Sequence, residues 1–233
     1  MNAAPAGAAA LVLLAAGGST RMGAAGHKHA RPFAGGASLP ARALGVAAAA
    51  GVAPADTVVV LGAEHDAVAA RLPPGAHRVV VNRRWAEGPG GSVAAGVREA
   101  VRGRPGDAAP AWLLLLLADQ PRVSAADLRA LLAGAAGSAA AMAGAAYGGT
   151  VGAPACFGAR HVPALLALAG APDRGAAALL RQTPGAAAVP MPHAAEDVDT
   201  PAQWEALTAR VAPGPGPGRG SGPGPRGYPD PAG

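Results

Sequence analysis

Three groups of residues in this 233-residue chain have types and spacings suited to a polyphosphate and a divalent cation. The first is Leu11 to Lys28, where an apolar run, Leu11 to Ala16, stops at Gly17 and Gly18 and continues through Ser19, Thr20, Arg21, Met22 and Gly23. Glycines allow positive φ and let several backbone N–H groups converge on phosphate oxygens with no Cβ in the way. Arg21 and Lys28 add full positive charge. The second group is Asp119 with Asp197 and Asp199. A carboxylate directly after Leu113 to Leu117 needs a cavity, a partner or a metal, because burying a bare charge is costly. It could instead cap a helix, although Ser124 is better placed to cap one over 125–132. Asp197 and Asp199 point the same way in an extended chain, so they could complete a Mg²⁺ site with Asp119; a plain helix start at Thr200-Pro201 is the alternative. The third group is Asn82 to Val97, whose Gly88, Gly90, Gly91 and Ser92 open onto an amphipathic stretch. This suits an anion or a base edge at a helix N-terminus; Ser92 as a simple helix cap stays equally open.

The glycine spacing excludes the two commonest phosphate loops. No Lys follows Gly23, and glycines at 17, 18 and 23 do not make G-x-G-x-x-G. The single cysteine, Cys156, excludes an internal disulfide and a cysteine metal cluster, which fits a reducing compartment. Its apolar neighbours favour packing over nucleophilic chemistry. His27, His29, His65 and His161 lack transition-metal spacing, and His29, near the first loop, could touch a phosphate. A net charge of +5 invites a nucleic-acid partner. The arginines are scattered, however, and with 3% aromatics there is no stacking platform, so a small anionic substrate is the better reading. The N-terminal apolar run has no Lys or Arg before it and feeds straight into the glycine loop, unlike a signal peptide. It falls short of the ~20 residues that span a bilayer, and the chain reads as soluble and cytoplasmic, with no membrane partner.

These residues need a scaffold. Leu11–Ala16, Thr57–Leu61, Arg78–Val81 and Trp112–Leu117 read as strands, with helices over 38–50, 64–72 and 125–132 and a last one over 202–211. Ala139 to Tyr147 reads as a strand or hairpin arm turned by Gly148 and Gly149. The alternation predicts an α/β fold, a Rossmann-like, mostly parallel sheet with helices on both faces. Ligands of such sheets sit at the carboxyl ends of the strands, where Gly17 and Asp119 both fall. Residues 1–211 form one domain on this reading, and the Gly/Pro-rich stretch 212–233 a disordered tail.

The motifs resemble those of the MobA-like nucleotidyltransferase family. Leu14, Ala15, Ala16, Gly17, Ser19, Arg21, Met22 and Gly23 match L-A-[AG]-G-x-S-x-R-M-G, with two extra residues before Lys28. Asn82, Trp85, Gly88, Gly90 and Ser92 match N-x-x-W-x-x-G-M-G-x-S, with Pro89 in place of Met. Asp119-Gln120-Pro121 and Asp197-Val198-Asp199-Thr200-Pro201 are intact. Ala153 stands where G-H-P-x-x-F has His, and Ala177 where G-D-x-G-A-R has Arg. The resemblance implies a fold like that of nucleotide-diphospho-sugar transferases and a Mg²⁺-dependent nucleotidyl transfer with release of pyrophosphate. It implies nucleotide contacts at Leu14, Ala15, Ala16, Gly17, Gly18, Ser19, Gly23, Gly90 and Ser92, catalytic roles for Arg21, Lys28 and Asp119, and Mg²⁺ ligands among Asp119, Asp197 and Asp199. Ala15-Ala16-Gly17 with Asp119-Gln120-Pro121 favours CTP over GTP. The implied acceptor is a phosphorylated small molecule, with molybdopterin first in line, and a molybdenum hydroxylase or its chaperone is the implied transient partner. Two alternatives stand beside it: an NAD(P)H-dependent oxidoreductase of small heterocycles on the same fold, and a non-catalytic nucleotide-binding module.

Overall fold

The computed structural model describes residues 9–32, 36–75, 77–102, 104 and 108–211. The expectation of a disordered tail over 212–233 lies outside them. In chain order the elements are β1 (Ala9–Ala15), α1 (Leu39–Ala49), β2 (Thr57–Leu61), α2 (His65–Ala69), β3 (Arg78–Val81), α3 (Pro89–Val101) and β4 (Trp112–Leu117). There follow α4 (Ala125–Gly137), β5 (Met142–Tyr147), β6 (Thr150–Gly158), α5 (Val162–Ala167), α6 (Ala177–Gln182), β7 (Ala187–Pro190) and α7 (Pro201–Val211).

One seven-stranded sheet runs β3-β2-β1-β4-β6-β5-β7. β1 pairs parallel with both β2 and β4, and β2 with β3. Only β6 is reversed, pairing antiparallel with β4 and β5, while β7 lies parallel to β5. The sheet is therefore mostly parallel, as the strand–helix alternation predicts, with a hairpin at Gly148-Gly149 supplying the exception.

Strand register sorts the core into two faces. Leu11 and Leu13 lie opposite Leu114 and Leu116 and pack with Ala43 and Ala47 of α1, Val68 of α2 and Leu128, Leu131 and Leu132 of α4. Their neighbours Val12 and Leu115 face the other way, toward Val93 and Val97 of α3, Leu165 of α5 and Leu180 of α6. With few rings available, this core rests on many aliphatic side chains, each contributing roughly 1.5–3 kcal/mol when fully buried. Gly96 is what lets α3 lie so close, since a Cβ there would stand 2.3 Å from Val12 Cγ1.

Local differences from the predicted elements have simple causes. The helix over 64–72 is confined to His65–Ala69: Glu64 takes a left-handed conformation (φ 46°) outside it, and past Ala69 the chain continues in tighter turns, with the Arg71 and Leu72 N–H groups donating to the Val68 and Ala69 carbonyls. Ser124 does cap α4, in a reciprocal pair with Asp127, and α4 runs on to Gly137. α3 begins at Pro89 with Gly88 as its cap, so Ser92 sits one turn inside the helix and is not the capping residue.

Candidate functional site

Everything at the site follows from how β1 ends. Beyond Ala15 the chain leaves the sheet, Ser19 turns left-handed (φ 52°, ψ 28°), and residues Thr20–Ala25 form a 3₁₀ turn. Two buried imidazoles brace the turn from beneath: His27 Nε2 donates to the Gly17 carbonyl at 2.8 Å and His29 Nδ1 to the Ala15 carbonyl at 3.2 Å. A trans peptide holds its C=O and N–H on opposite sides. Fixing the Gly17 oxygen toward His27 therefore turns the Gly18 N–H the other way. Gly17, Gly18, Ser19, Thr20 and Arg21 all line a cavity of about 420 Å³.

Lys28, between the two histidines, is only 5% exposed. Its Nζ lies 2.6 Å from Asp119 Oδ2 and 2.7 Å from Asp199 Oδ1, bridging two acids 91 and 171 positions away. Arg21, whose side chain is 70% exposed, reaches the other oxygen of Asp199 at 2.6 Å. Two cations and two carboxylates thus balance on the cavity wall. Asp199 is delivered there by the Val198 N–H, which donates to the Asp119 carbonyl at 3.1 Å. A small apolar cluster of Met22, Leu39, Val198 and Trp204 also packs the acidic segment against the first turn. Gln203 Oε1 accepts from the Asp199 and Thr200 N–H groups and starts α7.

These neighbours set the ionisation states. Burial works against the Lys28 charge, but Asp119 and Asp199 outweigh it and hold the ammonium above its ordinary pKa. Burial likewise opposes Asp199, and its bond to Lys28 carries it below the usual carboxylate range. Burial, then its hydrogen bond to Asp199, pushes Asp197 up. Burial pulls His29 down to about 4, so it stays neutral beside Lys28. Cys156 is buried and its thiol is pushed up by burial alone, in keeping with packing.

The donor set can be tested against a cation. Asp119 Oδ1 is buried with no hydrogen-bond partner. Among the described residues no three His, Cys, Asp or Glu side chains converge on one point. Magnesium is characteristically held by one or two carboxylates together with water and substrate phosphates. Asp119 with Asp199 suits that mode and not a closed all-protein cage.

Of the residues singled out by sequence, Leu14, Ala16, Gly17, Gly18, Ser19, Arg21, Lys28, Ser92, Asp119 and Asp199 line the one cavity. Ala15, Gly23, Gly90 and Asp197 do not line it. Ala15 is buried and gives its carbonyl to His29. Gly23 serves the turn through its positive φ of 53°. Gly90 donates its N–H to the Pro172 carbonyl at 2.8 Å, and a Cβ there would fall within 2.6–2.7 Å of three backbone oxygens. Asp197, hydrogen-bonded to Asp199, lines a neighbouring cavity with Arg122 and Glu196 and not this one. Ser92 Oγ accepts from Asn82 Nδ2 at 2.9 Å, and Trp85 closes the wall against Gly18. The bracing by His27 was not read from sequence, although two histidines flanking a lysine one residue from each side was its visible trace. Gln120 was also missed as a tie: its Nε2 donates to the Ala153 and Ala194 carbonyls, joining the end of β4 to β6 and to the segment before Asp197.

The glycine turn after β1 and Asp119 after β4 stand at the carboxyl ends of adjacent parallel strands, and Lys28 joins them to Asp199 from the segment before α7. The chain belongs to the MobA-like NTP transferase domain family, which matches residues 11–188. Among solved structures it is similar to Rv0371c from Mycobacterium tuberculosis H37Rv, at 27% identity and a TM-score of 0.67, covering 90% of this chain and 100% of that one. The manganese complex of Rv0371c aligns at 24% identity and 0.64, covering 86% and 98%. A nucleotidyl transferase from Methanothermobacter thermautotrophicus shares the fold at 20% identity and a TM-score of 0.69, covering 87% and 97%. No curated protein matches the chain. No helix among the described residues is long and apolar enough to cross a membrane.

Proposed function

We propose that the protein is a Mg²⁺-dependent nucleotidyltransferase that moves CMP from CTP onto a phosphate-bearing acceptor and releases pyrophosphate. The observation that carries this reading is the meeting of the first turn, Lys28, Asp119 and Asp199 in one cavity. The triphosphate lies along the turn, where the Gly18 N–H faces outward and Arg21, free on its solvent side, swings from Asp199 to the outer phosphates. Lys28 keeps one charge beside the reacting phosphorus. Asp119 and Asp199 would hold the divalent cation, which when bound supplies charge neutralisation on the triphosphate; Rv0371c in complex with manganese is in keeping with this. An oxygen of the acceptor phosphate attacks the α-phosphorus, and the bond to the β-phosphate breaks with its electron pair leaving on pyrophosphate. The attacking group is already anionic, so positioning and charge neutralisation carry the rate and no general base is called for.

The base assignment rests on Ala15-Ala16-Gly17 with Asp119-Gln120-Pro121; on the resemblance alone the acceptor would be molybdopterin, in the cytoplasm, with a molybdenum hydroxylase or its chaperone taking the product, whereas the lining of the neighbouring cavity favours a different phosphate ester. Calorimetric titration of the protein with CTP and with GTP, each with and without Mg²⁺, tests the reading. CTP is expected to bind at least tenfold more tightly than GTP, and only with the metal. Equal affinities would remove the base assignment, and no binding of either nucleotide would remove the transferase reading.

A further inference from the structure

A second cavity, of about 280 Å³, adjoins the first and shares Leu14, Pro89 and Leu117 with it. Its walls come from different elements: Val93 of α3, Leu115 of β4, Val151, Ala153 and Ala155 of β6, and Ala177 of α6. No carboxylate, imidazole or lysine lines it; its polar side chains are Tyr147, Thr150 and the exposed Arg181. Burial, then Asp197, pushes the Tyr147 phenol above its ordinary pKa, and its hydroxyl already meets the Gln120 side chain. The Ala153 carbonyl already accepts from Gln120. The two positions at which the motifs carry an imidazole and a guanidinium, 153 and 177, are methyl groups on this wall.

Two cavities with a shared border are what a transfer between two bound molecules needs, and this wall specifies the second molecule. A pterin or a sugar placed here would bury amide, amine or hydroxyl groups with few partners, and each unpaired group is costly. An apolar body removes its own surface from water against aliphatic walls. At about 280 Å³ the cavity lies at the small end of ligand pockets, so a compact body suits it. Resting on the nucleotidyltransferase reading above, we infer that the acceptor is not a pterin but a phosphate monoester with a compact apolar body, alkyl or aryl. The body fills the second cavity, and the phosphate points across the Leu14–Leu117 border to the nucleotide. The reaction is balanced as written above: one acceptor oxygen–phosphorus bond forms, one α–β phosphoanhydride bond breaks, and no oxidant or reductant is involved.

The test compares phenyl phosphate, n-hexyl phosphate, glucose 1-phosphate and molybdopterin as acceptors, following pyrophosphate release from CTP and Mg²⁺. Direct binding of phenyl phosphate and glucose 1-phosphate is measured by calorimetry without nucleotide. The two apolar esters are expected to react with kcat/KM at least tenfold above the other two, and phenyl phosphate to bind at least tenfold more tightly than glucose 1-phosphate. Filling the cavity with Ala177→Leu, or independently with Ala153→Val, should raise KM and Kd for phenyl phosphate tenfold or more, in line with the effect of a few methylenes in a pocket. The Kd for CTP should change less than twofold. Preference for glucose 1-phosphate or molybdopterin, or cavity-filling variants that leave phenyl phosphate binding unchanged, overturns the inference. Phenyl phosphate binding that the variants abolish, in a protein that binds no CTP, would sink the transferase reading and leave the apolar cavity assignment standing.

Discussion

Lys28 is the residue on which the geometry turns. It holds two carboxylates that would otherwise face each other from β4 and the start of α7, and all three side chains are less than one-fifth exposed. Removing the cation from such a group leaves paired negative charge behind, a loss of about 3 kcal/mol by comparison with other broken buried pairs. Lys28→Met should lose about that much in urea unfolding. Millimolar Mg²⁺ should raise the variant's Tm more than the wild type's, because the metal restores the missing charge between the acids. A variant as stable as the wild type, or one indifferent to Mg²⁺, would contradict this. His29 makes a separate prediction through pH. Its folded pKa of about 4 lies below the ordinary 6.5, so the unfolded chain binds the extra proton between those values. Stability from this group is complete above about 6.5 and falls as pH drops toward 4, by on the order of 3 kcal/mol at most. His29→Asn, which can keep the bond to Ala15, should flatten that part of the stability–pH curve; an unchanged slope would place the titration elsewhere. At this scale the sequence showed which residue types were available, and the strand-end rule placed Asp119 near Gly17. It did not show that Lys28 joins Asp119 to Asp199, because that bridge closes across 91 and 171 positions and exists only once the fold is made.

At the scale of elements, two glycines chosen from matched motifs turn out to differ physically. Gly17 has open space where a Cβ would go and a φ outside the left-handed region, whereas Gly90 meets three backbone oxygens of the segment 168–174. Gly17→Ala should therefore fold with a Tm close to wild type yet bind CTP at least tenfold more weakly, since the added methyl would occupy the phosphate's approach. Gly90→Ala should lower Tm by several degrees, because the start of α3 must move away from its neighbour. If Gly17→Ala bound CTP normally, the first turn would not be the phosphate site. The strands were the most legible elements: β2, β3 and β4 have the bounds read from their apolar and β-branched runs. The helix ends were less so. Nothing in the pattern over 64–72 reveals that Glu64 turns left-handed, and Ser92 was open to a cap reading because a Gly-Gly-Ser run fits either a loop or a first turn. Alanine-rich composition blurs exactly this distinction, since it scores as helix wherever it occurs.

For the molecule as a whole, topology brings distant motifs together. Parallel pairing of β1 with β4 sets the first turn and Asp119 side by side at one sheet edge, and the 3.1 Å bond from Val198 to Asp119 brings the last motif to the same place. That Gly17 and Asp119 would fall together at the carboxyl ends of parallel strands was legible in the chain's alternation of strands and helices. The turn at Gly148-Gly149 marked a reversal, but the insertion of β6 between β4 and β5, and with it the second cavity, was not legible, because a hairpin arm carries no sign of which other neighbour it will join. The central claim is that triphosphate and cation meet between the first turn and Asp119. The most direct measurement is anomalous scattering from a crystal of the protein with Mn²⁺ and a non-hydrolysable CTP analogue. The account predicts a manganese peak about 2 Å from Asp119 Oδ1, bridged to phosphates lying over Gly17 to Arg21. A metal bound away from Asp119, or phosphates lodged at another edge of the sheet, would contradict it.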